Sequence, residues 1–235
     1  MKITLSNDLT LQIITREDNR KAQDESIIAE VIINDCYWLK RMKSLKPKVL
    51  IDIGGHIGCW GIYAKSLFPD AKLIAVEPNK ESYGLYQINA KENGLTNYEI
   101  INAAVEYDKD KKFLVQGVAS TGGCWNVSKD KVGHICSRQD MRVIDQNIQM
   151  ITIEEILRDI HKVDISKWDS EGAELRAFRN MLPETRNKFE ILVGEYHTEQ
   201  NAHSLKKELN VLFPNHHIKI NHSPKIGWFR MIREK

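Results

Sequence analysis

The stretch Val49-Leu-Ile-Asp-Ile-Gly-Gly-His-Ile-Gly58 determines how the rest of the sequence is interpreted. Its first five residues predict a buried strand, which runs directly into glycines, and a helical pattern follows Gly58. Gly54 and Gly55 allow a tight turn where the backbone approaches a ligand closely. The helix that follows presents free N–H groups at its start. The pattern predicts a strand–turn–helix unit that binds a small molecule, although a glycine turn that only packs a helix on a strand looks the same.

The spacing of these glycines separates two classes of ligand. A dinucleotide-binding turn has the pattern G-x-G-x-x-G, whereas the main spacing here is Gly54-x-x-x-Gly58. Asp52 stands just before the turn, where a carboxylate would repel a pyrophosphate but suits an ammonium or sulfonium centre. A nicotinamide or flavin enzyme is therefore disfavoured.

From Val49 onward, short apolar runs alternate with helical segments. This alternation predicts an α/β fold with a mostly parallel sheet and helices on both faces. The predicted strands are 49–53, 72–76, 98–101, 163–168, 189–193, 217–221 and 228–232, and the predicted helices are 58–67, 80–92, 152–161, 173–181 and 199–212. No helix fits before the last strand, so we expect that strand to return antiparallel. The pieces 111–116 and 141–144 resemble antiparallel additions.

Residues 1–46 are predicted to form a cap in front of this core. Alternation over 2–14, with a turn at Asn7-Asp8, predicts a β-hairpin. Apolar residues at helical spacing over 23–44 predict a helix with Asp24 as its N-cap and a break near Asn34-Asp35. Pro47 ends this region, so residues 47–235 form the second predicted unit.

The composition excludes several classes of protein. The 235 residues are 42% hydrophobic and 28% charged, and 34 Lys+Arg against 32 Asp+Glu give a net charge of +2. This balance indicates neither a nucleic-acid partner nor a membrane-surface protein. The four cysteines form no C-x-x-C pair, which disfavours a zinc site. No signal peptide and no membrane-length apolar stretch is recognisable, so we expect a cytoplasmic protein.

A second acid follows the next predicted strand, in Glu77-Pro-Asn79. A carboxylate at this strand tip can accept both ribose hydroxyls of an adenosine, and a solvated acid before a helix is the alternative. Together with Asp52 and the glycine spacing, Glu77 favours S-adenosylmethionine as the cofactor. The candidate cofactor-binding residues are Asp52, Gly54, Gly55, His56, Gly58, Glu77, Asn79, Asn102 and Ala103.

Four motifs together resemble the FkbM-type methyltransferases. They are Asp52-Ile-Gly-Gly-His-Ile-Gly58, Glu77-Pro-Asn, Asn89-x-x-x-Asn-Gly-Leu95 and Trp168-Asp-Ser-Glu-Gly-Ala-Glu174, within residues 49–197. The resemblance implies a class I methyltransferase, Rossmann-like fold with a seven-stranded sheet, which uses S-adenosylmethionine and usually methylates a hydroxyl of a sugar or polyketide. Gly55-His56 stands where the family more often has Ala-Asn, and Trp168 and Ser170 stand where small aliphatic residues are usual.

Polar side chains follow the fourth and fifth predicted strands of the core. Neighbouring parallel strands end at one edge of a sheet, so we predict that Asp169, Glu195 and His197 face the transferred methyl group as catalytic residues. His197 is the better base, because an unperturbed imidazole has a pKa of ~6.5, and Asp169 is better placed by the resemblance. The same residues could bind the substrate or hold a divalent cation, but no tight ligand spacing requires a metal and none is predicted.

The segment 117–150 is long for a connection, which is typical of a binding loop. Ser120, Thr121 and Trp125 in this segment, together with Glu171, are candidate substrate-binding residues. A packed Trp125 in an exposed loop, and Glu171 as an acid in the first turn of a helix, explain them equally well. We expect O-methylation of a carbohydrate or sugar-bearing small molecule; ribose methylation of a nucleic acid and a non-catalytic cofactor-binding module are the alternatives. The oligomeric state is open.

Overall fold

A seven-stranded sheet forms the centre of the computed structural model, which describes residues 1–5, 10–108, 110–117, 124–137, 140–198, 200–221 and 226–234, except the side chain of Trp125. The strands are β1 (Lys2–Thr4), β2 (Thr10–Gln12), β3 (Val49–Ile53), β4 (Lys72–Val76), β5 (Tyr98–Ile101), β6 (Ala104–Val105), β7 (Phe113–Gly117), β8 (Cys124–Val127), β9 (Met141–Asp145), β10 (Met150–Ile151), β11 (Ile165–Trp168), β12 (Ile191–His197), β13 (His216–Ile220) and β14 (Ile226–Arg233). The α-helices are α1 (Lys21–Ile28), α2 (Cys59–Leu67), α3 (Lys80–Glu92), α4 (Lys129–Cys136), α5 (Ile153–Ile156), α6 (Glu174–Asn180), α7 (Pro183–Arg186) and α8 (Ala202–Leu212).

The order of the central sheet is β13-β14-β12-β11-β3-β4-β5. The strands from β12 to β5 run parallel, and β14 runs antiparallel to both of its neighbours. Parallel strands buried on both faces are continuous apolar runs in the sequence, and β3, β4 and β5 have the predicted bounds. The prediction of an α/β fold with a mainly parallel sheet is confirmed.

Three small sheets lie beside the central one, so the layout is not a plain seven-stranded Rossmann sheet. β1 pairs with β2, and β6 pairs with β10. The predicted additions 111–116 and 141–144 correspond to β7 and β9, which pair with each other, and β7 also pairs with β8. They form a sheet of their own, from which Leu114 packs against Ala104 and Ile148.

Helices cover both faces of the central sheet. Leu50 of β3 packs on the face covered by α2 and α3, where Trp60 and Tyr86 are buried. Ile51 packs on the opposite face, with residues such as Phe178 of α6 and Leu209 of α8. No helix among the described residues is long and apolar enough to cross a membrane.

The helix predicted over 23–44 is divided into three pieces. α1 continues into a π-helical turn over Ala29–Ile33, and a 3-10 turn follows over Leu39–Met42. The chain between them carries positive φ angles at Asp35 and Trp38, which agrees with the expected break. The prediction of Asp24 as the N-cap is wrong, because α1 begins earlier and the buried carboxylate of Asp24 accepts hydrogen bonds from Arg16.

Other bounds differ in length. The helix predicted over 152–161 ends at Ile156 as α5. The strand predicted over 189–193 continues to His197, because antiparallel pairing with β14 extends it from Ile191 to His197. The turn predicted at Asn7-Asp8 lies outside the described residues, between the paired strands β1 and β2.

The N-terminal segment is attached to α3 through two asparagine side chains. Asn89 accepts from the backbone N–H of Ile14 at 2.6 Å and donates to the carbonyls of Ile14 and Ile57 at 3.0 and 2.9 Å. One turn later, Asn93 makes the same pair of bonds with the N–H and carbonyl of Gln12, at 2.9 and 2.6 Å. The two amides therefore satisfy the segment as a neighbouring strand would, which gives a structural role to the Asn89-x-x-x-Asn93 motif.

We expect Asn89→Ala to lower the free energy of unfolding by about 2–3 kcal/mol, because it leaves buried backbone groups without partners. Urea denaturation measures this loss. Gln87→Ala is the matched control, since it removes an exposed amide from the same helix. Equal stability of the two variants would contradict the role of Asn89.

Candidate active site

A cavity lies beyond the carboxyl ends of β3, β4 and β11, and its empty space, including the solvent at its mouth, is about 1080 Å³. Open α/β sheets bind their ligands at this edge. The walls come from three parts of the chain: the strand ends, the segment between Ile27 and Tyr37, and the small sheet that contains Leu114 and Asn126.

A buried lysine crosses the floor of this site. Lys167 of β11 is the register partner of Asp52 on β3, and it is 5% exposed. Its ammonium donates to the carbonyls of Ile53 and Gly54 at 3.3 and 2.5 Å. The same nitrogen lies 3.6 Å from an oxygen of Asp52 and 3.6 Å from an oxygen of Asp169.

These partners keep Lys167 charged. Burial alone would lower its pKa, but the carboxylates of Asp169 and Asp52 outweigh the burial and raise the pKa. Lys167 was not among the candidate residues predicted from the sequence. The signal was a cation inside the predicted strand 163–168, where an unpaired buried charge would not be tolerated.

Asp52 does not line the cavity. It is fully buried, and its carboxylate accepts a hydrogen bond from the Tyr86 hydroxyl at 3.0 Å besides facing Lys167. Asp52 therefore supports the glycine turn from the side away from the cavity. The expectation that Asp52 faces the cofactor's cationic centre is not met in this structure.

The glycine turn is shaped by two close approaches. Gly54 has a φ of +73°, and a Cβ atom there would stand 1.8 Å from the backbone oxygen of Asp169. The ring of Tyr86 lies against the next glycines, so that a Cβ at Gly55, Gly58 or Gly61 would fall 2.6, 2.3 or 1.8 Å from its atoms. The glycines thus allow close packing of β3, β11 and α3.

The carboxylate of Glu77 accepts hydrogen bonds from two backbone N–H groups. One oxygen accepts from His56 and the other from Asn79, both at 2.8 Å. Each oxygen has a further lone pair, so the carboxylate can also accept two ribose hydroxyls. Burial raises the pKa of Glu77 to about 7, although these N–H bonds oppose the rise. The arrangement fits an adenosine.

Some of the other candidate cofactor residues line the cavity, and the rest hold the lining residues in place. Gly54, Gly55, His56 and Ala103 line the cavity with Glu77. Asn79 caps α3, and Asn102 donates to the carbonyl of Glu77 at 2.8 Å. The supporting residues, which hold the wall rather than form it, are Asp52, Gly58, Asn79 and Asn102.

Acidic side chains gather at the ends of β11 and β12. Asp169, Glu171 and Glu195 line the cavity, and the Tyr37 hydroxyl donates to Asp169 at 3.0 Å. Burial and the charge of Asp169 raise the pKa of Glu195 to about 8 and that of Glu171 to about 7. The expectation that Asp169, Glu195 and His197 lie together at neighbouring strands agrees with their positions.

His197, however, lies behind the lining of this cavity, where its Nε2 is 3.9 Å from an oxygen of Glu195. Its ring lines a smaller pocket with Glu174 and Phe178. Its nitrogens lie 3.3 Å from Glu171 and 3.5 Å from Glu174. Burial would lower the pKa of His197, but these carboxylates and Asp169 raise it to about 9. The imidazole is therefore charged at neutral pH, which corrects the prediction of an imidazole base with an ordinary pKa.

The same group has donors suited to a cation. Asp169, Glu195 and His197 can each offer one ligand atom, with these atoms within 4.8 Å of one another. Two carboxylates and an imidazole match the preferences of several divalent metals. A metal was not predicted from the sequence. Because of this geometry, experiments on the site must also test whether activity depends on a divalent cation.

The candidate substrate-binding residues Ser120 and Thr121 lie outside the described residues, as does the side chain of Trp125. The cavity is instead lined by the aromatic residues Tyr37 and Trp228, whose ring centroids are 5.0 Å apart, and by the carboxylate of Glu30. Sequence reasoning missed all three. Tyr37 and Glu30 belong to the N-terminal segment, and Trp228 is opposite Glu195 in the β12–β14 pair.

Comparisons with known proteins agree with this geometry. Residues 52–217 match the model of the methyltransferase FkbM domain. Methyltransferase 1 of Beauveria bassiana (strain ARSEF 2860) is 21% identical in an alignment 211 residues long, which covers 83% of this chain and 80% of that protein. Methyltransferase sdnD of Sordaria araneosa is 20% identical in an alignment 183 residues long, which covers 68% of this chain and 70% of that protein.

Solved structures share the fold. The precorrin-6y C5,15-methyltransferase of Geobacter metallireducens GS-15 has a TM-score of 0.50 at 12% identity and covers 94% of each chain. A SAM-dependent methyltransferase from Agrobacterium tumefaciens has a TM-score of 0.53 at 12% identity over 87% of this chain and 62% of that one. At these identities, the likeness extends to the class I methyltransferase fold.

We expect Glu77→Ala to weaken S-adenosylhomocysteine binding by roughly 10- to 100-fold, because hydrogen bonds to a charged group are lost. Glu77→Gln should also bind weakly, since its NH₂ group would face a backbone N–H of His56 or Asn79. Calorimetry measures both affinities. Wild-type affinity in Glu77→Ala would remove the ribose assignment.

Proposed function

Because the chain belongs to the FkbM methyltransferase family and is an S-adenosylmethionine-dependent methyltransferase, we propose that it methylates a hydroxyl group of a carbohydrate or a similar hydroxyl-rich small molecule. The observation that carries the proposal is a group of acidic and aromatic side chains among those that line the cavity. This group consists of the carboxyl groups of Glu30, Asp169, Glu171 and Glu195 and the rings of Tyr37 and Trp228.

These side chains suit a neutral polyol. Carboxylates accept hydrogen bonds from hydroxyl groups, and aromatic rings offer apolar surface to the face of a sugar ring. The acidic lining formed by Glu30, Asp169 and Glu195 also disfavours a phosphate backbone, whose binding depends on Lys and Arg. A small acceptor is therefore favoured over a nucleic acid.

Bound S-adenosylmethionine supplies a methyl group activated by a sulfonium charge. Glu195 accepts the proton of the acceptor hydroxyl, because it lines the cavity and its pKa of about 8 is close to the working pH of most enzymes. Asp169, held by the Tyr37 hydroxyl and by Lys167, orients the same hydroxyl. His197 remains charged and steadies Glu171 and Glu195 rather than moving a proton.

Glu195→Gln and Asp169→Asn should each lower turnover by roughly 10²–10⁴-fold with the donor still bound. The base acts only when deprotonated, so the wild-type rate should rise with pH through about 8, and Glu195→Gln should lose this rise. Glu99→Gln, an exposed carboxylate on β5, is the control. If a chelator abolishes activity and a divalent cation restores it, the proposed role of Glu195 as the base is wrong and the site uses a metal.

The acceptor class is tested by incubating the enzyme with labelled S-adenosylmethionine and a panel of free sugars, nucleotide sugars and RNA. We expect label in a sugar, because the cavity offers carboxylates and aromatic rings. Label found only in RNA would overturn the proposed acceptor while leaving the methyltransferase activity intact.

A further inference from the structure

We propose that Arg16 is a positioning residue, which keeps Glu77 ready to bind the ribose of the donor by holding the two chain segments that grip its carboxylate. The inference rests on the donor site alone and does not depend on which acceptor the enzyme uses. Arg16 lies outside residues 52–217, which match the family model.

Arg16 is buried at the junction of three elements. Its guanidinium is 2% exposed and donates to Asp24 of α1 at 2.6 Å through Nη1. Nη2 donates to the hydroxyl of Ser82 in the first turn of α3, also at 2.6 Å. Nη1 also lies 3.3 Å from Nε2 of His56, which accepts a hydrogen bond from it in the tautomer that carries the proton on Nδ1.

Two of these partners belong to the segments that hold Glu77. His56 donates its backbone N–H to one carboxylate oxygen, and it does so in a left-handed conformation with a φ of +49°. Ser82 shares the first turn of α3 with its cap, Asn79, which donates its N–H to the other oxygen. Arg16 therefore links the two segments whose backbone N–H groups bind the carboxylate of Glu77.

The chemistry of this contact favours positioning over simple stabilisation. A buried ion pair such as Arg16–Asp24 contributes little net stability, because both charges lose their hydration. A guanidinium, in contrast, has donors at fixed angles and can hold several partners in one geometry. A lysine at position 16 would keep the charge opposite Asp24 but could not direct separate N–H groups to His56 and Ser82.

The test compares two ligands on Arg16→Lys by calorimetry: S-adenosylhomocysteine, and its analogue without the 2′ and 3′ ribose hydroxyls. We expect about a tenfold loss of affinity for S-adenosylhomocysteine, the size of one hydrogen bond. The affinity of Arg16→Lys for the analogue should stay within twofold of the wild-type value, because the analogue lacks the hydroxyl groups that would bind Glu77. A purely structural role would weaken both ligands alike.

Two further variants complete the experiment. Arg20→Gln is the matched control, because Arg20 joins the same N-terminal segment to α3 through ion pairs with Asp18 and Glu81. It should bind S-adenosylhomocysteine like the wild type. If Arg16→Lys does not fold, the double variant Arg16→Gln/Asp24→Asn removes both buried charges and should show the same ligand-selective loss. Equal losses for the two ligands, or a loss in Arg20→Gln matching that of the Arg16 variant, would overturn the proposal.

Discussion

The buried ammonium of Lys167 is the charge on which the arrangement of the site depends. It binds the carbonyls at the end of β3 and faces one carboxylate below the turn and one at the end of β11. A lysine in this position without Asp52 and Asp169 would be an uncompensated buried charge, and breaking such a set costs about 3–5 kcal/mol. The strand ends are therefore held in one mutual position before any ligand arrives.

From this centre, contacts extend outward through the layers. Asp52 holds the hydroxyl of Tyr86, and Tyr86 seats α3 on the glycine turn. Farther along α3, Asn89 and Asn93 bind the N-terminal segment. That segment returns to the cavity with Glu30 and Tyr37. The cavity wall that contains Glu77 and the wall formed by the N-terminal segment thus share one scaffold.

The sequence predicted the bounds of the central strands β3, β4 and β5 and pointed to Glu77, which lines the cavity, because both leave local patterns. Continuous apolar runs mark parallel strands buried on both faces, and Glu77 at a strand tip is visible within a few residues. The failures concern partners that are distant in sequence. Asp24 resembles a helix cap until Arg16 is placed beside it, and the pKa of His197 depends on Glu171 and Glu174 packed around its ring. Tyr37 and Trp228 were not singled out for the same reason, since neither residue belongs to a motif.

The ring of Tyr86 packs against Gly55, Gly58 and Gly61, so the residues that these four positions can accept depend on one another. An alanine at any of the three glycines would collide with the tyrosine as it stands. A smaller residue at position 86 would leave a void and release Asp52 from its hydroxyl partner. Exchange at these sites must therefore proceed by paired changes, so that variation at position 86 among relatives should be accompanied by variation at the glycines it touches.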